Sequence, residues 1–157
     1  MSLISRVGYE RLKKELKKID KEMVNTQIAM GESAKKDNDL RENPEYMDLR
    51  VKLMYTLPKE KEKILSRLEN AIIIEETSEF KNFDGKIIPG TIVEVIFDDV
   101  NETYKILGDD EATFYDDEYI LSCNAPIAKS LLGKKNGDEI EFNNFKIAIL
   151  SVKRIDA

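Results

Sequence analysis

KKDNDLRENPEYMD, Lys35 to Asp48, is the stretch on which the fold turns. An amphipathic segment lies on each side of it. Ahead of it Tyr9, Leu12, Leu16, Ile19, Met23, Thr26 and Met30 recur in alternating steps of three and four. That is a heptad seam in which only Thr26 is polar. Behind it Tyr46, Leu49, Leu53, Leu57, Glu60, Ile64, Leu68 and Ala71 form a second seam, less regular because it contains consecutive steps of four. A short loop between two such helices forces them antiparallel. Residues 1–76 are therefore expected to form an antiparallel α-helical coiled-coil hairpin with its tip near 37–45. Asn43 suits an N-cap, Pro44 the first helical position, and Glu45 the positive end of a helix. Pro58 predicts a kink, because a mid-helix proline loses a hydrogen bond and clashes with the preceding turn.

The tip crowds together Asp37, Asp39, Glu42, Glu45 and Asp48. Like charges repel, so the cluster does little for the fold. Aspartate and asparagine are ordinary turn residues, and a solvated turn is the plainest explanation. The alternative is metal chemistry. Asp39 and Glu42 stand three apart across a tight turn and could direct their carboxylates to one side. Two exposed carboxylates hold Mg²⁺ weakly alone; the ion keeps its waters and commonly adds substrate phosphates. Such a tip works best by completing a site whose other ligands lie elsewhere, and a two-metal phosphoryl-transfer site is the obvious recipient. Lys35, Lys36, Arg41, Arg50 and Lys52 flank the tip. They are either solvated partners of the acids or a track that steers a nucleic-acid phosphate past them. No aromatic platform accompanies them, so no sequence readout is expected.

The second half changes period. TIVEVIF (91–97), ETYKIL (102–107), EYILSC (118–123), DEIEF (138–142) and FKIAIL (145–150) are β-branched or aromatic runs bounded by turn residues. APIAKSLL (125–132) is one short helix, with Asn124 before it, Pro126 near its start and Gly133 after it. The expected fold class is α+β: the hairpin, a link over 72–89, and a small, mostly antiparallel sheet domain with one short helix over 77–157.

Composition narrows the chemistry. The chain of 157 residues has a net charge of −6, unevenly divided. Met1–Glu76 carries 16 basic and 15 acidic residues, and Thr77–Ala157 carries 9 and 16. An acidic C-terminal half argues against wrapping duplex DNA, so any nucleic-acid contact belongs to the first half. The single cysteine, Cys123, excludes an intrachain disulfide and is expected to be a buried small hydrophobe. The absence of histidine excludes Ser–His and Cys–His nucleophiles and His-based metal sites. No run is long enough to span a membrane and MSLISRVGYERLKK has no apolar signal core, so a cytoplasmic chain is expected.

Two motifs carry a family resemblance. NDLRENPEY (38–46) resembles the tip motif of the Gre transcript-cleavage factors, in which Gly-Asp-Leu-x-Glu-Asn-Ala-Glu-Tyr is typical. ILGDDEATF and YILSCNAPIAKSLLGKKNGDEIEF, within 106–142, resemble the second domain of that family. The resemblance implies an N-terminal coiled coil and a C-terminal domain similar to FK506-binding proteins. It implies a monomer that binds bacterial RNA polymerase, with the globular domain at the mouth of the secondary channel and the hairpin reaching the active site. There Asp39 and Glu42 take the places of the family's tip acids. They help to hold a second Mg²⁺ jointly with the polymerase, with no cofactor in isolation. The polymerase, not the factor, then cleaves the 3′ end of backtracked RNA. Lys35 and Arg50 fall where the family has basic residues that contact extruded RNA. Asn38 stands in place of the tip glycine and tolerates left-handed backbone. Ala125 stands in place of a serine, a change for which Asn124 could compensate as a cap. Asp37 is a third tip carboxylate, and related proteins with altered acidic tips inhibit the polymerase instead. A helical-hairpin chaperone with a prolyl-isomerase-like domain is the alternative of a different class; it has no use for the tip acids.

Overall fold

The computed structural model describes residues 1–37, 39–111 and 119–157. The expectation for Asn38, and the start of the strand expected at Glu118, lie outside these residues. The chain divides into two units. Glu10–Asn70 is one; Met1–Tyr9 together with Ala71–Ala157 is the other. The expected boundary at 76/77 differs from this, and so does the assignment of the first residues to the hairpin. The reason is strand pairing: β1 (Ser2–Ile4) lies parallel to β2 (Ala71–Ile73), with Leu3 opposite Ile72.

The helical unit is a hairpin. Helix α1 (Arg6–Lys36) begins in the other unit and supplies the first arm. The second arm is α2 (Pro44–Val51), a π-helical turn (Lys52–Thr56) and α3 (Leu57–Glu69). Cross-arm pairs run in opposite chain directions: Ser33 meets Asn43, Glu22 meets Lys52 and Asp20 meets Lys61. Leu12, Ile19, Leu57 and Ile64 of the seams are buried. Each contributes about 1.5–3 kcal/mol by leaving water. The polar seam residue Thr26 is also buried, and its hydroxyl donates to the Glu22 carbonyl at 2.8 Å. At Pro58 the chain stays helical. The Leu57 amide bonds the Lys52 carbonyl five residues back, and Thr56 and Leu57 keep right-handed helical angles. A widened turn of this kind makes room for the ring that an ordinary α-turn would clash with.

The globular unit is built on a five-stranded sheet in the order β5-β4-β3-β7-β6. Its strands are β3 (Thr91–Phe97), β4 (Val100–Leu107), β5 (Ile120–Ser122), β6 (Glu139–Phe142) and β7 (Phe145–Arg154). All neighbours are antiparallel except β4 and β5, so the sheet is mixed. Asp98–Asp99 and Asn143–Asn144 close the two hairpins with positive φ at both positions. Such turns match the twist of the flanking strands and favour Asp and Asn. Alternate residues Val93, Val95, Tyr104, Ile106, Ile147 and Ile149 form the core face, joined by Ala128 and Leu131 of helix α5 (Pro126–Leu131). Cys123 joins the same core as a free, buried thiol, and burial pushes its pKa up.

Two further expectations are corrected. The expected single short helix has a second ahead of it in the chain: after β2 the link over 72–89 makes a 3₁₀ turn (Ile74–Glu76) and a one-turn helix α4 (Ser78–Lys81). Ile74, Phe80, Ile88 and Leu107 make a smaller core there. The cap offered for α5 is also absent. Ala125 is its N-cap and bears no side-chain bond, while the Asn124 amide donates to Asp109 at 2.8 Å. Those bonds from Ser122 and Asn124 hold the Asp109 carboxyl below its usual range.

Candidate functional site: the acidic hairpin tip

Between α1 and α2 the chain makes a compact turn. The Asp37 amide closes the last α-turn onto the Ser33 carbonyl at 3.2 Å. Leu40–Glu42 then forms a 3₁₀ turn with Asp39 as N-cap. The Glu42 amide donates to the Asp39 carbonyl at 3.1 Å. Asp39 and Glu42 thus stand at the two ends of one short 3₁₀ turn, joined through the backbone. The Asp39 carboxylate accepts the Arg41 amide at 3.2 Å, and Asp37 accepts the Asp39 amide at 3.0 Å. Asp37 is thus part of the turn's own bonding. The Asp39 side chain remains 51% exposed. Among the described residues the exposed Glu42 carboxylate has no hydrogen-bond or ion-pair partner.

Asn43 closes the turn. It is 7% exposed and uses its whole amide. Its oxygen accepts the Tyr46 amide at 3.1 Å, capping α2 as its sequence position predicts. Its nitrogen donates to the Ser33 hydroxyl at 2.9 Å and the Ser33 carbonyl at 3.1 Å. Pro44 follows at the helix start. Sequence reasoning found the cap but missed the partner; a serine one turn before the end of a helix has no distinctive signature.

The basic residues separate into two groups. Lys35 and Lys36 form the last turn of α1, and Arg50 lies in the last turn of α2. All three are exposed and, among the described residues, have no ion-pair partner. Arg41 sits in the tip turn, 95% exposed, with its Nε 3.9 Å from Asp39. Lys52 is different: its ammonium lies 2.7 Å from Glu22 across the hairpin. It braces the two arms. Arg50 itself stands six residues into the second arm, roughly 9 Å along the axis from Pro44.

The donor set at the tip suits a hard cation. It offers carboxylate oxygens only, which is the chemistry Mg²⁺ takes. Among the described residues no three acidic, histidine or cysteine side chains are grouped to hold a metal.

The two halves match two family models. Residues 2–73 match "Transcription elongation factor, N-terminal", and residues 82–154 match "Transcription elongation factor, GreA/GreB, C-term". The chain belongs to the GreA/GreB family of transcription elongation factors. Transcription elongation factor GreA of Thioalkalivibrio sulfidiphilus is 36% identical over 135 residues, spanning 85% of this chain and 82% of that protein. GreA of Baumannia cicadellinicola is 38% identical over 136 residues, spanning 83% and 81%. Among solved structures, GreA factor homolog 1 of Thermus thermophilus is 19% identical with a TM-score of 0.41, covering 96% of this chain and 97% of that one. Among the described residues no helix is long and apolar enough to cross a membrane.

Proposed function

We propose that this GreA/GreB-family factor binds bacterial RNA polymerase in the cytoplasm. Its hairpin enters the secondary channel and stimulates Mg²⁺-dependent cleavage of the 3′ end of backtracked RNA. The observation that supports this is that Asp39 and Glu42 lie at the two ends of one 3₁₀ turn with both side chains exposed. Neither carboxylate is buried. Asp39 and Glu42 would hold the ion jointly with the polymerase. When bound, Mg²⁺ supplies Lewis-acid polarisation of the scissile phosphate and an activated water. The chain contributes preplaced negative charge, which costs little reorganisation at the moment of reaction. Lys35 and Arg50, free of ion-pair partners among the described residues, would meet the phosphates of extruded RNA. The polymerase performs the bond cleavage, and the factor acts as a monomer.

The test is to add the purified chain to halted, backtracked elongation complexes and follow RNA length. Shortened, re-extendable RNA supports the proposal. Slowed nucleotide addition together with suppressed intrinsic cleavage would contradict it and identify an inhibitor on the same scaffold.

A further inference from the structure

The tip acids are useful only if their turn stands in one place. Of the described residues between the two helices, Asp37, Asp39 and Leu40–Glu42 are exposed or half-exposed, with no buried residue among them to do this. The ordering must come from the chain's own polar bonds, and those that join its two ends run through one pair of residues. We infer that Ser33 and Asn43 are positioning residues: their side chains clamp the two ends of the tip turn and so set where Asp39 and Glu42 stand. The inference rests on the function proposed above.

Four observations carry it. Ser33 and Asn43 are buried to 2% and 7% exposure, although every tip residue between them that is described is partly or fully exposed. The Asn43 amide nitrogen lies within hydrogen-bond distance of both Ser33 oxygens, 2.9 Å from the hydroxyl and 3.1 Å from the carbonyl. The same Ser33 carbonyl accepts the Asp37 amide, so one oxygen ties the departing and returning strands of the turn together. Asn43 then follows Glu42 directly, and its own amide reaches back to the Leu40 carbonyl at 3.5 Å. Movement of Asn43 relative to Ser33 would therefore carry Glu42 with it. Capping alone does not require Ser33. A serine at position 43 offers an oxygen to the Tyr46 amide, yet its side chain is too short to reach across to Ser33 and has no amide to donate. This separates the clamp from the cap.

The experiment compares wild type, Ser33→Ala, Asn43→Ser and Asp39→Asn as full chains. Far-UV circular dichroism and the unfolding midpoint show that each folds. Amide exchange by NMR on the free protein then reads the turn. Cleavage of backtracked RNA is titrated with Mg²⁺, and polymerase affinity is measured by competition. The expected result is faster exchange at the Glu42 and Asn43 amides in Ser33→Ala and Asn43→Ser, with Met23 in mid-helix unchanged. The Mg²⁺ concentration for half-maximal cleavage should rise about tenfold in Asn43→Ser and less in Ser33→Ala, since sub-ångström misplacement of catalytic groups is costly. Polymerase affinity should stay within about twofold, because the contacts that dock the factor are untouched. Unchanged exchange at the tip overturns the inference. So does faster exchange with an unchanged Mg²⁺ titration, which would make the pair a brace with no bearing on the acids. An active wild type with unaffected variants removes only the clamp. A wild type that leaves the RNA uncut, like Asp39→Asn, removes the proposed function and the clamp with it.

Discussion

The carboxylates of the hairpin tip and the carboxylate of Glu111 are placed in opposite ways. Glu111 lies in the globular unit with no exposed surface. It accepts the Ser5 amide at 2.6 Å, the Ser5 hydroxyl at 2.5 Å and the Gly108 amide at 3.3 Å. Ser5 in turn caps α1, accepting the Gly8 amide on its hydroxyl at 3.1 Å. The backbone here leaves no room for side chains: a Cβ on Gly108 would lie 1.6 Å from the Leu3 carbonyl oxygen, and one on Gly8 would crowd Ile4 and Glu111. Glu111 therefore ties Ser5 to the Gly108 segment within the globular unit. Asp39 and Glu42 fasten little beyond their own turn and face water. One acid is dry and saturated with donors; the other two are wet and left available, as the proposed function requires.

That contrast is most easily broken at Glu111. Glu111→Ala leaves buried donors on Ser5 and Gly108 without an acceptor and opens a void. A loss of about 3 kcal/mol or more is expected, at roughly 1–3 kcal/mol for each stranded group. Urea unfolding of the full chain measures it. A loss under about 1 kcal/mol would mean that water reaches these donors and that the site is not dry.

The hairpin is legible in the sequence because its period is long and its tip chemistry is local. All the named seam residues except Glu60 are buried or half-buried, around a turn that Asn43 and Pro44 announce. The sheet strands are legible for the same reason, since their alternation is regular. β1 and β2 are three residues each, too short for any period to emerge, and their pairing joins Ser2 to Ala71 across most of the helical hairpin. Glu111 is hidden differently. Within GDDEA it looks like one more turn acid beside Asp109 and Asp110, and only the return of the N-terminal segment over Gly108 buries it. Lys52 shows the converse case: its charge is visible in the sequence, but its commitment to Glu22 depends on the register of the two arms.

A smaller effect sharpens the same comparison through pH. Burial pushes the Glu111 carboxyl above its usual range, against the lowering effect of its bonds from Ser5 and Gly108. The folded state thus holds that proton more tightly than the unfolded chain. Its contribution is greatest below the ordinary carboxylate range, and stability falls as pH rises through that range towards the raised folded value, then levels off. Glu111→Gln carries no such proton. The stability of wild type relative to Glu111→Gln should therefore fall as pH rises from about 4, whatever the constant cost of the amide. Unfolding midpoints of the two chains across that range decide it; a difference that is flat or of opposite sign would contradict a buried, raised carboxyl.

On the exposed side, Lys35→Ala and Arg50→Ala should reduce cleavage a few-fold on backtracked complexes and affect binding to free polymerase less. The loss should shrink as salt rises, because the Debye length falls from about 10 Å at 0.1 M to about 3 Å at 1 M. Equal losses on both forms of polymerase would make these residues protein contacts. The smallest effect is expected at Asp37→Ala, since Asp37 already gives an oxygen to the Asp39 amide. Cleavage should change only modestly; relief of a block on nucleotide addition would instead reveal an inhibitory tip.

The central claim is that Asp39 and Glu42 serve a partner's metal and not the fold. The most direct measurement pairs two readouts on the double variant Asp39→Asn/Glu42→Gln: RNA cleavage in backtracked complexes at limiting Mg²⁺, and the unfolding midpoint of the free chain. The account predicts stimulated cleavage lost by about a hundredfold or more, at the scale of removing a group that stabilises transition-state charge, with the midpoint and polymerase affinity unchanged. Cleavage at the wild-type rate, or a loss of activity that tracks a fall in the midpoint, would contradict it.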